Sequence, residues 1–316
     1  MIRYFRKEHG QLMELENFAP GCWVHISTPF SSNELEDFAE RFDIELDYLT
    51  DSLDPEERSR YEKEDHFKFI LINTPIPNQR DDEYQPVFMT VPIGIIFAEE
   101  FMITISAFDN TIMDLFLKDK VRHFNPGDYQ LFILQILDQN VNRFTSYLKK
   151  LNLNRDVIEQ QLITSSRNHE LKQLLGLEKS SIYFVNALSS NELLKLKLKR
   201  TDFLGINGDE DKVDFFENII IDNNQAHQMA NVFTHIINGT TDAMASIISN
   251  NLNVIIQRWT MITIVLMVPT LIASFYGMNV KHLPFDDSDY AFYYIVILSL
   301  VLTLPLVWVI KRKELF

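Results

Sequence analysis

The sequence predicts an α/β domain, then a helical module, one very long stalk helix and a two-helix transmembrane hairpin. Three observations lead there. Runs rich in β-branched and aromatic residues, bounded by Pro, Asn, Asp or Glu-Glu, occupy the first third of the chain. A proline-free pattern of helical periodicity extends over about residues 215–268, and two uncharged stretches, 259–280 and 290–310, follow it.

In the first third, residues 23–27, 67–74, 86–97 and 101–106 read as strands, with helices predicted at 32–42 and 55–63. From about 126 to 199, Leu131, Leu134, Leu137, Val141, Phe144, Leu148, Val157, Ile158 and Leu162 recur at helical spacing with few breakers. Within this stretch Lys195, Lys197, Lys199 and Arg200 are spread around a helix and read as a solvated surface, with contact to anionic lipid as the alternative. The run TDFLGINGDEDKVD, with two glycines and an acidic cluster, reads as the loop into the stalk. There, Met229, Val232, Phe233, Ile236, Ile237, Met244, Ile247 and Ile248 keep the helical period, and Gly239 is its weak point. A helix continuous from Phe215 to Tyr276 would measure roughly 90 Å, far more than a bilayer needs.

The first uncharged stretch, as a helix, spans roughly 33 Å against a hydrocarbon core of about 30 Å. Two such spans joined by a short polar connector make a transmembrane hairpin. Arg258 precedes the first span and Lys311, Arg312 and Lys313 follow the second, whereas the connector sets Lys281 against Asp286, Asp287 and Asp289. The positive-inside rule then puts both termini in the cytoplasm of a cell-membrane protein. Trp259, Tyr276, Tyr290, Tyr293, Tyr294 and Trp308 lie near the span ends, as an aromatic belt does. The chain thus divides into an α/β domain 1–125, a helical domain 126–212, a stalk helix 213–256, a first span 257–280, an outer loop 281–289, a second span 290–310 and a basic tail 311–316.

Composition excludes several functions. Forty-four acidic against 29 basic residues give a formal charge of −15, which disfavours nucleic acid and favours metal cations as partners. The one cysteine, Cys22, forms neither an internal disulfide nor a thiolate cluster, which fits a cytosolic body. The N-terminal residues lack the apolar core of a secretory signal. No Walker A loop, H-E-x-x-H spacing or G-x-S-x-G elbow occurs, so neither an enzyme nor a nucleotide-driven pump is expected.

The informative pattern lies on the first span and the helix leading into it. Asn253, Thr260, Met267 and Ser274 recur every seven residues, with Ile256, Thr263, Thr270 and Gly277 as the other half of the heptad. Polar groups in a bilayer face water or a partner, so the stripe reads either as parallel copies lining a wet axis or as helix packing through small and hydroxyl residues.

The span ends in Tyr276-Gly277-Met278-Asn279, and here the chain resembles the CorA magnesium channels, whose signature is Y-G-M-N at the end of the first of two C-terminal spans. PTLIASFYGMN at 269–279, SIISNNLN at 246–253, LDPEERSRYEKED at 53–65 and PIGIIFAEEFMITIS at 92–106 all look like family segments. The resemblance implies a homopentamer with a funnel-shaped cytoplasmic domain, its pore lined by the first span of each subunit. It implies a selectivity filter at Gly277, Met278 and Asn279, whose carbonyl and amide oxygens suit a Mg2+ ion held through its water shell. Asn253, Thr260, Thr263, Thr270 and Ser274 would line the pore, with Ile256, Trp259 and Met267 as apolar gates that close by dewetting. The resemblance also implies closure by cytoplasmic Mg2+ bridging carboxylates between subunits, so Mg2+ is expected as both cargo and regulator, with no organic cofactor.

Three departures stand out. Trp259 replaces a smaller apolar residue. Glu217 and Asp222 lie where one partner of the sensing pair is expected, but the matching position is Asn218; a solvated helix start is the alternative. The connector reads Leu283-Pro284-Phe285-Asp286 where many members have M-P-E-L, so Asp286, Asp287 and Asp289 either supply the outer negative field or simply solvate the loop. Two other functions stay open: Zn2+, Co2+ or Ni2+ transport by the same architecture, and a membrane-tethered metal sensor that does not conduct. The absence of Cys and His from the stripe favours a hard ion.

Overall fold

The computed structural model describes residues 1–78, 85–164, 168–278, 284 and 288–312. The chain forms two compact units, Met1–Thr241 and Asp242–Phe316. In the first, strands β1 (Ile2–Glu8), β2 (Gln11–Leu15), β3 (Cys22–Ser27), β4 (Arg60–Lys63), β5 (Lys68–Pro77), β6 (Phe88–Phe97) and β7 (Phe101–Ser106) make one mixed sheet in the order β2-β1-β3-β7-β6-β5-β4. Strands β3 and β7 pair in parallel, and the other neighbours are antiparallel.

Alternation along β3 divides the core. Cys22, Val24 and Ile26 pack with Leu35, Phe38 and Ala39 of α1 (Ser32–Phe42) and Tyr48 and Leu49 of α2 (Leu46–Asp51). Trp23 points to the opposite face, edge-on to Phe124 and Phe132, and its indole N–H donates to Thr104 Oγ1 at 2.8 Å. That face is covered by α3 (Thr111–Leu117), α4 (Tyr129–Thr164) and α5 (Asn168–Arg200). Helix α1 starts in a capping box, in which Ser31 Oγ accepts from the Glu34 N–H and the Glu34 carboxylate accepts from the Ser31 N–H. Gly94 permits a close approach: a Cβ there would lie 1.9 Å from Ser52 Oγ.

The expected helix over 55–63 is a correction. The segment turns and then forms β4, whose register runs from Arg60↔Leu71 to Lys63↔Lys68. The local charge pattern suits a helix, but pairing along β5 and the Arg60 bonds to Asp51, Glu57 and Glu62 prevail. Beyond Leu71, β5 loses its partner on that side, and side chains take over. Asn140 Nδ2 and Asn191 Nδ2 donate to the Asn73 carbonyl at 3.0 and 2.8 Å, while Ser59 Oγ and Asn191 Oδ1 accept from its N–H. The β1–β2 hairpin was not anticipated; its turn, His9-Gly10, has φ of 50° and 82°.

Lys195 is a second correction. It is fully buried rather than solvated, while Lys197, Lys199 and Arg200 are exposed. Lys195 lies with Leu188, Asn191, Leu194 and Leu198 on the face that packs inward, Lys197 and Arg200 point away from it, and Lys199, one turn further at the helix end, reaches Glu217.

Helix α6 (Glu210–Tyr276) begins in the first unit, continues through Gly239 and Pro269, and ends in the second. Phe216, Ile219, Ala226, Ala230, Phe233 and Ile237 form its buried face in the first unit. Helix α7 (Ala291–Arg312) completes the second unit, and both helices are long and apolar enough to cross a membrane.

Candidate functional site

Within the second unit, α6 has two opposed faces. Met261, Val265, Val268, Ile272 and Tyr276 form a less exposed stripe, and α7 has a comparable one in Ile295, Ser299, Thr303, Leu306 and Ile310. At about 100° per residue, the centre of the Asn253–Gly277 heptad stripe lies roughly 180° around α6 from its shielded face. Asn253, Ile256, Thr260, Thr263, Met267, Thr270, Ser274 and Gly277 are all exposed.

The hydroxyls on that stripe have a common geometry. Thr260, Thr263 and Thr270 donate to the carbonyls of Ile256, Trp259 and Leu266 at 2.8, 2.9 and 2.8 Å. Each proton is thus used inside the helix, and the oxygen's two lone pairs can accept from water or meet a cation. Ile256, Trp259 and Met267, the expected gates, expose apolar surface among these acceptors.

At the end of α6, the Gly277 N–H donates to the Ala273 carbonyl at 2.9 Å and the Met278 N–H to the Phe275 carbonyl at 3.3 Å. Tyr276, read from sequence as a belt residue, donates its phenolic proton to the Pro284 carbonyl at 3.0 Å and ties the connector to the helix end. Its place beside Gly277 was the available clue to this role. Gly277 and Met278 are exposed, as is Asp289, whereas Asn279, Asp286 and Asp287 lie outside the described residues. Beyond the second span, Arg312 sits 5.1 Å from the Trp308 ring centroid, a cation–aromatic contact suited to a membrane interface.

Glu217 and Asp222 are not brought together as a chelating pair. Five positions apart on α6, they point roughly 140° from one another, and Glu217 accepts from Lys199 Nζ at 2.5 Å. Among the described residues, no three His, Cys, Asp or Glu side chains gather to hold one ion.

Residues 19–312 match the model of the CorA-like Mg2+ transporter protein family. The chain is 24% identical over 295 residues to the cobalt/magnesium transport protein CorA of Methanocaldococcus jannaschii, covering 92% of this chain and 90% of that one. It is also 24% identical over 312 residues to the protein of that name from Thermotoga maritima, with coverage of 92% and 82%. Its fold resembles the complete structure of the M. jannaschii CorA magnesium transporter with a TM-score of 0.78 at 22% identity, over 100% of this chain and 99% of the other. With its α/β domain, long helix and C-terminal apolar helix, this chain belongs to the CorA-like Mg2+ transporter family.

Proposed function

We propose that the chain assembles as a homopentamer in the cell membrane, with both termini cytoplasmic, and conducts Mg2+ inward, with Co2+ and Ni2+ as secondary cargo. The observation that carries this reading is the α6 acceptor stripe, exposed opposite the helix's shielded face and leading to Gly277 and Met278. Five parallel copies would turn that stripe inward and give each hydroxyl oxygen a wet neighbour. Gly277, Met278 and Asn279 then form the filter, Asn253, Thr260, Thr263, Thr270 and Ser274 pass the hydrated ion on, and Ile256, Trp259 and Met267 close by dewetting. Asp286, Asp287 and Asp289 concentrate cations at the mouth. Oxygen donors without Cys or His favour Mg2+ over Zn2+. A divalent ion entering an interior-negative cell gains about 4.6 kcal/mol per 100 mV, so no fuel is required. Cytoplasmic Mg2+ bridging acidic faces between subunits would hold the pore shut.

The test is Mg2+ uptake into proteoliposomes with a trapped indicator, comparing wild type with Asn279→Ala and running Zn2+, Co2+ and Ni2+ in parallel. Uptake of Mg2+ that the substitution abolishes is the expected result. Uptake of Zn2+ alone would reassign the cargo, and no flux of any ion at low internal Mg2+ would mark a non-conducting sensor.

A further inference from the structure

Several polar side chains join α5 to α6 in the first unit. Ser181 Oγ and Thr234 Oγ1 lie 2.5 Å apart, Asn223 Nδ2 donates to the Leu188 carbonyl at 3.1 Å, and Lys195 Nζ donates to Asn223 Oδ1 at 2.6 Å. Lys195 is the unusual member because it is 0% exposed and, among the described residues, the amide bond is its one hydrogen bond. Among the described residues no carboxylate forms an ion pair with it.

Both acids that face it are engaged elsewhere. Glu192, three positions back on α5, accepts from Asn224 Nδ2 at 2.8 Å and lies 3.0 Å from His227 Nδ1, both on α6. Asp138 on α4 accepts from Gln139 and Asn142, each at 3.0 Å. Among the described residues of α6, Lys195 hydrogen-bonds to the neutral Asn223; Asp222 acts on Asp138, and His227 acts on Glu192. An ammonium has three protons to place, and this pocket accepts one. A neutral amine fits the pocket, whereas a charged one is buried without a counter-ion.

We propose that Lys195 is a proton-operated latch between α5 and α6: neutral, it stays buried at the seam beside Asn223; protonated, it carries more protons than that one acceptor can take, draws toward water, loosens the seam and changes the rate of ion flux. Burial pushes the Lys195 amine down to about 7, within the range a cytoplasm can sample, while Glu192 and Asp138 partly oppose the shift. Because the same helix α6 continues to the acceptor stripe, a change at Asn223 acts on the element that carries the proposed pore. The flux half of the proposal rests on the transport reading above; the latch itself does not.

The experiment uses the full chain in lipid nanodiscs and proteoliposomes at pH 6.0 to 8.5. Hydrogen exchange over residues 188–195 and 219–227, corrected for intrinsic chemistry, is expected to be at least threefold faster at pH 6.0 than at pH 8.5 in wild type. Lys195→Met removes that dependence, and Asn223→Leu, which deletes the oxygen that stabilises the ammonium, moves the midpoint to lower pH. Mg2+ uptake follows the same midpoint in wild type and loses it in Lys195→Met. Exchange that is independent of pH in wild type overturns the latch. Uptake profiles that coincide in wild type and Lys195→Met, with the exchange result intact, overturn its control of flux. Failure of all transport leaves the exchange result standing and counts against the transport reading alone.

Discussion

The two units treat polar side chains in opposite ways. In the first, Asn140 and Asn191 are buried and their amide protons satisfy the Asn73 carbonyl of β5 within the same chain. In the second, Thr260, Thr263 and Thr270 spend their protons on their own helix and leave oxygens exposed. The first unit satisfies these strand groups from within its own chain. The second presents exposed acceptors, which the proposed pore would set against water, ions and other copies. Burial therefore predicts where a substitution harms folding, and exposure predicts where it harms transport.

The contrast is sharpest for apolar cores. Phe69→Ala, at a side chain with no exposure that packs 5.0 Å from Tyr48, should cost about 3–5 kcal/mol, measured by thermal melting of the full chain in detergent. An effect below about 1 kcal/mol would mean that the first unit is not the self-contained core it resembles.

Acid should act mainly on the first unit too. His25 is buried with its Nδ1 2.9 Å from Thr104 Oγ1, and burial lowers its pKa to about 4. The folded state therefore binds fewer protons than the unfolded state between about pH 6.5 and 4, so stability falls as pH drops through that window. The loss from this group is on the order of 3 kcal/mol. His25→Gln should flatten that part of the stability profile. An unchanged acid slope in the variant would place the titrating group elsewhere.

Asn191→Ala should destabilise by about 1–3 kcal/mol, because the Asn73 carbonyl loses one donor and its N–H one acceptor. The smallest stability effect belongs to the second unit. Thr263→Val keeps shape and removes the exposed oxygen, so the melting profile should move by no more than about 0.5 kcal/mol while Mg2+ uptake falls several-fold. Unaltered uptake would return this position to the helix-packing reading of the stripe.

Much of this was legible in sequence where one local signal dominates. Strand β7 appeared with its observed bounds because Phe101, Ile103 and Ile105 alternate in a β-rich run beside Glu99-Glu100. Helix α1 was equally plain. The α6 stripe was visible because residues seven apart return to nearly one angle, which needs no tertiary information. Misreadings occurred where distant partners decide. Residues 60–63 look helical until β5 is present to pair with them, and Lys195 looks solvated until α6 places Asn223 over it. The β1–β2 hairpin had a local mark, a His-Gly pair between alternating runs, that carries less weight than Asn-Gly at such turns.

The chain's one thiol has a practical consequence. Cys22 is 1% exposed, its acidity suppressed by burial, and it is sealed between β3 and helix α1. Water-borne thiol reagents react with thiolates they can reach, and this one is neither accessible nor readily ionised. A cysteine introduced at Thr260, Met267 or Ser274 would therefore report its own surroundings in the otherwise native chain. Position-by-position labelling of α6 can then map which side is wet without first deleting a native residue.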